Sequence, residues 1–223
     1  TANGQDVFSQ LMYGGRVSVF VALVGGMLAT IVAVVVGLSW GYIKSFGGEF
    51  VGFIVNLFLV IPSLPLMIVV AAYLQNGGMS VIILVIVLTG WAWGSRVLRS
   101  QTQALRSRDF VTAATFSGDS SARVIFHEIF PNMLSLIINN FFGAATAAAL
   151  AEAGLEFLGL GDSTTVSWGT MIYWAQNNNV LLTGQWALLL APGLMIALLA
   201  VSMTFINFGV DRLSNPRLRE GSK

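Results

Sequence analysis

Apolar residues run through this chain in long blocks separated by short polar breaks, and the blocks have the length of membrane crossings. A hydrocarbon core about 30 Å thick takes roughly 20 apolar residues as a helix. On that measure the pattern predicts an all-α, polytopic membrane protein with five spans: about Val17 to Ile43, Phe50 to Leu74, Met79 to Val97, Pro131 to Leu150 and Trp186 to Phe208. The first carries no charge and holds Gly25, Gly26, Gly37 and Gly41, small residues that let neighbouring backbones approach closely in lipid. The second is interrupted by Ile61-Pro62-Ser63-Leu64-Pro65, whose prolines remove backbone donors and force a break or kink. Carbonyls freed at that depth face protein or a water-filled cavity, so these prolines either shape packing or line a solute path. Asn56, Pro62, Pro65, Asn139 and Asn140 are the candidates for such a lining.

Two polar regions break the pattern. Residues 98–130 form a loop whose charged part continues into the next span as LRSRDFVTAATFSGDSSARVIFHEIFPN, Leu105 to Asn132. Asp109 can cap a short helix over Phe110 to Phe116, its carboxylate favoured at the positive end. Gly118 supplies a stop, because glycine tolerates the left-handed conformation. Asp119 or Ser120 can cap a second helix to about Ile129, and Pro131 opens the following span, where its missing N–H costs least. Two short helices joined at a glycine elbow result, with Ala113 and Ala114 forming a flat surface beside Phe110 and Phe116. Such a surface suits insertion into a groove on another protein or, equally, a place on lipid headgroups. The other polar region, residues 152–185, is too broken by Gly, Thr and Asn to span; a short amphipathic helix is expected at about Gly169 to Gln176.

Composition agrees with the pattern: 9% charged residues, 56% hydrophobic and a mean hydropathy of +0.79 exclude a large soluble core. Charge then sets orientation. Lys44, Arg96, Arg99, Arg106, Arg108, Arg123, Arg212, Arg217, Arg219 and Lys223 all fall on one side of the predicted topology, and Arg16 alone on the other. The positive-inside bias puts the C-terminus and the 98–130 loop in the cytoplasm and 152–185 outside. A net charge of +1 gives nucleic-acid binding no electrostatic support. Residues 1–16, TANGQDVFSQLMYGGR, lack the basic start, apolar run and cleavage site of a signal peptide.

Several chemistries are missing. No cysteine is present, so disulfides, thiolate metal sites and cysteine nucleophiles are out. Nothing matches the phosphate-cradling G-x-x-x-x-G-K-[ST] loop, so energy has to come from a partner or a gradient. His127, the single histidine, lacks the second histidine of a zinc-protease helix and reads as a solvated or docking residue. Glu152 and Glu156 are the acids at a span end, read as boundary residues with local polar partners; a gradient-driven carrier would need ionisable groups within the spans.

Thr112-Ala113-Ala114, three residues, Gly118, nine residues, then Glu128-Ile129-Phe130-Pro131 resembles the E-A-A–x₃–G–x₉–I-x-L-P loop of permease subunits in binding-protein-dependent ABC importers. Ala113, Ala114, Gly118 and Pro131 match, while Thr112, Glu128 and Phe130 depart from the usual Glu, Ile and Leu. LMYGGRVS from Leu11 is similar to the start of the transmembrane domain in the dipeptide/oligopeptide/nickel group. EAGLEFLGLG from Glu152, Ser167-Trp168-Gly169 and the ending NFGVDRLSNPR resemble that group's C-type subunit.

The resemblance implies a type I importer permease fold and a non-catalytic subunit in a prokaryotic inner membrane, with one more span upstream. It implies a second homologous permease, two ATP-binding subunits that hold ATP and Mg, and an external solute-binding protein, with no cofactor in this chain. Asp109, Phe110, Thr112, Ala113, Ala114, Phe116, Gly118, Arg123 and Pro131 would couple to the ATPase, and Glu156, Asp162 and Trp168 would meet the binding protein. Peptides are the expected cargo; oligosaccharides, nickel or a gradient-driven carrier are the alternatives.

Overall fold

The computed structural model describes residues 4, 6–43, 46–74 and 78–214, and among them every regular element is helical. Lys44, Ser45, residues 75–77 and the basic residues Arg217, Arg219 and Lys223 lie outside the described residues, as does the Arg212 side chain. Four helices are long and apolar enough to cross a membrane: α1 (Val7–Tyr42), α4 (Gly78–Arg106), α8 (Leu134–Phe157) and α10 (Ala187–Ser214), the last tested over Ala187–Val210.

Helix α1 starts ten residues before the expected Val17. The Asp6 carboxylate caps it by accepting from Ser9 N–H at 2.7 Å. Ser9, through its hydroxyl first and its N–H second, also holds Asp6 below the usual carboxylate range. At 1.5 Å per residue its 36 residues reach about 54 Å, well beyond a 30 Å hydrocarbon core. The early turns are polar enough to read as loop, but Trp168 Nε1–H donates to Leu11 O at 3.0 Å and fastens them from across the fold.

The second span is two helices, α2 (Phe46–Val60) and α3 (Ser63–Tyr73), bent by 89° at Ile61-Pro62. This is a break rather than a kink, and Pro62 alone makes it: Pro65 lies in the first turn of α3, where its missing N–H leaves no ladder bond unmade. The pair nevertheless crosses the bundle. A Cβ on Gly41, at the end of α1, would meet Thr102 near the end of α4, whereas Gly78 at the start of α4 lies against Asp162. Helices α1 and α4 therefore run parallel, and α2–α3 returns the chain between them.

Backbone proximity holds the bundle together. A Cβ on Gly26 would stand 2.5 Å from Ala145 Cα, and one on Gly37 2.7 Å from Ser95 O, so α1 touches α8 and α4 almost backbone to backbone. One buried cluster joins Val21, Met67, Ile82, Val85 and Leu155 of α1, α3, α4 and α8; a second joins Ala153, Trp168, Met171 and Ile196.

The predicted 98–130 loop is mostly helix. Helix α4 continues nine residues past Val97 to Arg106, followed by α5 (Asp109–Phe116). Next come α6 (Ser121–Arg123), a π-helical segment (Val124–Ile129) and α7 (Phe130–Asn132). The fourth span begins at Leu134 rather than Pro131 and runs seven residues past Leu150, taking in Glu152 and Glu156. Helix α9 (Trp168–Asn177), with a Ser167–Thr170 capping box, is the expected amphipathic helix.

Candidate coupling surface and amide cavity

At one end of the bundle α5 presents an exposed face on a buried base. Arg108, not Asp109, is its N-cap, and Asp109 sits in the first turn; Arg108 O accepts from Val111 and Thr112 N–H at 3.1 and 3.0 Å. The Thr112 hydroxyl also donates to Arg108 O, at 3.1 Å. Val111 is buried with Leu38, Leu98, Val124, Ile129 and Met133, and Ala114 leans on the same cluster. Of the two alanines only Ala113 is open, with Asp109, Phe110, Thr112 and Phe116; Phe116 is 88% exposed. The flat two-alanine surface expected from the sequence is therefore half turned inward, because helical spacing puts Val111 and Ala114 on one side.

Gly118 stops α5 at φ +87°, a left-handed conformation that costs a side chain bearing a Cβ. Gly118 N–H donates to Thr115 O (3.1 Å) and Asp119 N–H to Ala114 O (3.2 Å), the two bonds of a Schellman closure. Ser120 then caps α6 by accepting from Arg123 N–H at 3.4 Å, and Arg123 pairs with Asp119 at 3.3 Å on the surface. The π-segment escaped the sequence reading. Its widened turn shows where Phe130 N–H reaches back five residues to Ile125 O, immediately before Pro131, which has no N–H to give. Pro131 itself is exposed in α7, with Asn132 Nδ2–H donating to Glu128 O at 2.7 Å.

Farther along the bundle, α1, α4, α8 and α10 line an open cavity of about 500 Å³, with Asn139, Asn140 and Asn207, Trp93 and small residues on its walls. Asn140 Nδ2–H donates to Thr30 Oγ1 at 3.5 Å, and the amide fits against Gly94. Asn139 and Asn140 both line this cavity, whereas Asn56, Pro62 and Pro65 are exposed on α2, at the break before α3 and in its first turn, and line no part of it. Asn207 and Trp93 were missed; an amide inside the apolar 186–208 run was the available signal.

At the opposite end lies a buried polar knot. Ser18 Oγ–H donates to Glu152 Oε1 (3.0 Å) and accepts from Trp168 N–H (3.1 Å). Ser167 Oγ–H donates to Glu156 Oε2 and accepts from Thr170 N–H at 3.0 Å. Gly161 and Gly169 pack directly on Glu156, where a Cβ would come within 2.7 Å of its side chain. Glu152 Oε2 has no hydrogen-bond partner among the described residues. Glu156 and Trp168 are buried here and cannot face a partner, contrary to expectation; Asp162 is exposed. Hydrogen bonds from the Thr164 hydroxyl and N–H, then Thr165, hold the Asp162 carboxyl below the usual carboxylate range.

Four long apolar helices and the bent α2–α3 pair allow up to five membrane crossings, with a jointed, half-buried element at one end. Residues 33–220 match the family described as "Binding-protein-dependent transport system inner membrane component", and the chain belongs to that family. It is 36% identical over 174 residues to the oligopeptide transport system permease protein OppC of Mycobacterium tuberculosis, covering 77% of this chain and 60% of that protein. It is 29% identical over 222 residues to the dipeptide transport system permease protein DppC of Bacillus subtilis, covering 97% and 67%. The chain thus spans 60% of the mycobacterial relative's length. The fold is similar to that of a solved chain from an inward-facing MetNI methionine ABC transporter, with a TM-score of 0.75 at 15% identity, covering 93% of this chain and 97% of that one.

Proposed function

We propose that this chain is the transmembrane subunit of an ATP-driven, binding-protein-dependent peptide importer, forming half of the path beside a second, related permease. ATP and Mg sit on two partner ATPase subunits, and this chain hydrolyses nothing. The basic residues around α5 favour a cytoplasmic position for that end and for the C-terminus, which puts Asp162 and α9 outside, toward the solute-binding protein. Phe110, Thr112, Ala113 and Phe116 enter the ATPase groove, while Val111 and Ala114 tie the movement of that groove to α4 and α8.

The observation that carries this reading is an α5 welded to the bundle on one side and open on the other, closed by Gly118 at φ +87°. Gly118→Asp distorts the elbow without touching the spans. In proteoliposomes containing the whole transporter, this variant should insert and assemble, and its ATP hydrolysis should no longer drive uptake. Normal uptake per ATP hydrolysed by that variant refutes the coupling role.

A further inference from the structure

The cavity between α1, α4, α8 and α10 has a chemistry that narrows what can pass. Three primary amides, Asn139, Asn140 and Asn207, reach it from two helices, and none of its lining residues carries a charge. Asn139 and Asn140 lie about 8 to 9 Å along α8 from its start at 1.5 Å per residue, inside the apolar part of the bundle. Amides at that depth are costly against lipid, so they face protein or a wet path. Asn207 Oδ1 is enclosed and has no hydrogen-bond partner among the described residues.

Small residues make the room. Ala29, Gly90, Gly143, Ala144 and Ala147 leave about 500 Å³ open, within the usual range of small-molecule sites. Trp93, 67% exposed, adds an indole face. An Asn side chain carries two N–H donors and a carbonyl acceptor, the groups that a peptide bond presents in complement, and Asn140 gives one of its N–H groups to Thr30. Metal ions are poorly served by this set: it contains no carboxylate, imidazole or thiolate.

We propose that the cavity holds the passing solute by its main-chain amides and is blind to side-chain charge, so that peptide backbone is its ligand. This rests on the importer reading above. The arrangement explains why amides are gathered in a cavity that no acid or base enters: a fixed charge would hold one class of peptide and repel another.

The test places a charge there. Gly143→Asp adds a carboxylate where a Cβ meets nothing within 4 Å, and Asn207→Asp adds one without changing shape. The whole transporter, with its second permease, ATPase subunits and binding protein, is reconstituted in proteoliposomes. ATP-driven uptake of dialanine, alanyl-lysine and alanyl-glutamate is then measured at saturating binding protein. Dividing each variant's lysine-to-glutamate uptake ratio by that of the native complex removes the binding protein's own preference. The ratio should change by about tenfold or more in both variants, since a charge pair at close range in a partly wet site is worth at least that. Asn207→Ala should slow all three peptides alike, by about fivefold for one lost hydrogen bond.

An unchanged ratio in variants that still import dialanine overturns the cavity's role while leaving the importer intact. Native transporters that import maltotriose with ATP but not dialanine overturn the peptide assignment. Loss of pairing with the second permease in both Asp variants, seen by size-exclusion chromatography, also overturns it, because the cavity is then a helix-packing surface. Absence of any ATP-driven uptake by the native complex defeats the importer reading itself.

Discussion

Single glycines decide how closely this bundle packs, and they are not equivalent. Gly26 has room for no side chain: a Cβ there would press on Ala145 Cα at 2.5 Å and Ala145 N at 2.6 Å, backbone atoms that cannot rotate away. Gly154, on the same α8 as Ala145, would meet nothing within 4 Å. Gly26→Ala should therefore force α1 and α8 apart and cost about 1 to 3 kcal/mol, the usual range for overpacking. Gly154→Ala should leave stability within about 0.5 kcal/mol. Thermal unfolding of the two variants in detergent, followed by tryptophan fluorescence, checks the contrast; equal Tm values in both would contradict it. Both glycines look the same in the sequence, where a glycine in an apolar run reports close approach in general and never its partner.

Among the elements, the apolar cores of the spans were legible and their ends were not. Hydropathy reports where lipid contact stops, whereas a helix stops where its hydrogen-bond ladder loses a partner or gains a cap. Helix α1 runs ten residues past its apolar block because Asp6 caps it and Trp168 grips Leu11. Helix α8 carries Glu152 and Glu156 because Ser18 and Ser167 meet them from other elements. No local pattern announces a partner 134 residues away, so the acids read as boundary residues and the loop after Leu150 as beginning too early. The α5 element and the elbow after it show the same division. The glycine stop and the overall joint could be read from spacing, but the inward turn of Ala114 depends on packing against Leu98 and Ile129, and the π-segment on the i to i+5 bond made just before Pro131. The polar knot yields a test at this scale. Ser18→Ala removes a donor from buried Glu152 and an acceptor from Trp168 N–H at once. Leaving one buried polar group unsatisfied costs about 1 to 3 kcal/mol. Limited proteolysis should cut the segment around α9 faster in the variant while sites near α5 keep their native rates. Uniform protection would mean that α9 is held by Trp168 packing alone.

Across the whole molecule, the two ends are joined by continuous structure, and this constrains how force is transmitted. From α5 the chain passes through α6, the π-segment and α7 into α8 with two breaks, the elbow at residues 117–120 and Met133; Val111 and Val124 on the two sides of the elbow, and Met133 itself, are buried in one cluster. At the far end of α8, Glu152 and Glu156 tie the same helix to α1 and to the cap of α9. A push on α5 therefore has no slack element to absorb it before reaching α8, since packed cores shift between discrete arrangements rather than deforming smoothly. The absence of cysteine makes this measurable with introduced labels. Phe116 on α5 and Phe126 on the π-segment are both exposed and accept spin labels without disturbing the core; retained ATP-driven uptake in the labelled complex checks that docking at Phe116 survives the label. In the assembled transporter the distance between labels at these two positions should stay the same through the nucleotide-free, ATP-bound and ADP-bound states. If the chain pairs with a second permease as proposed, the distance from Phe116 to a label on that partner's matching element should change with nucleotide over the same series. If α5 swings on its own about Gly118, the 116-to-126 distance will change with nucleotide by more than its distribution width. In that case the buried base of Val111 and Ala114 would be a resting contact and not the joint through which the bundle is driven.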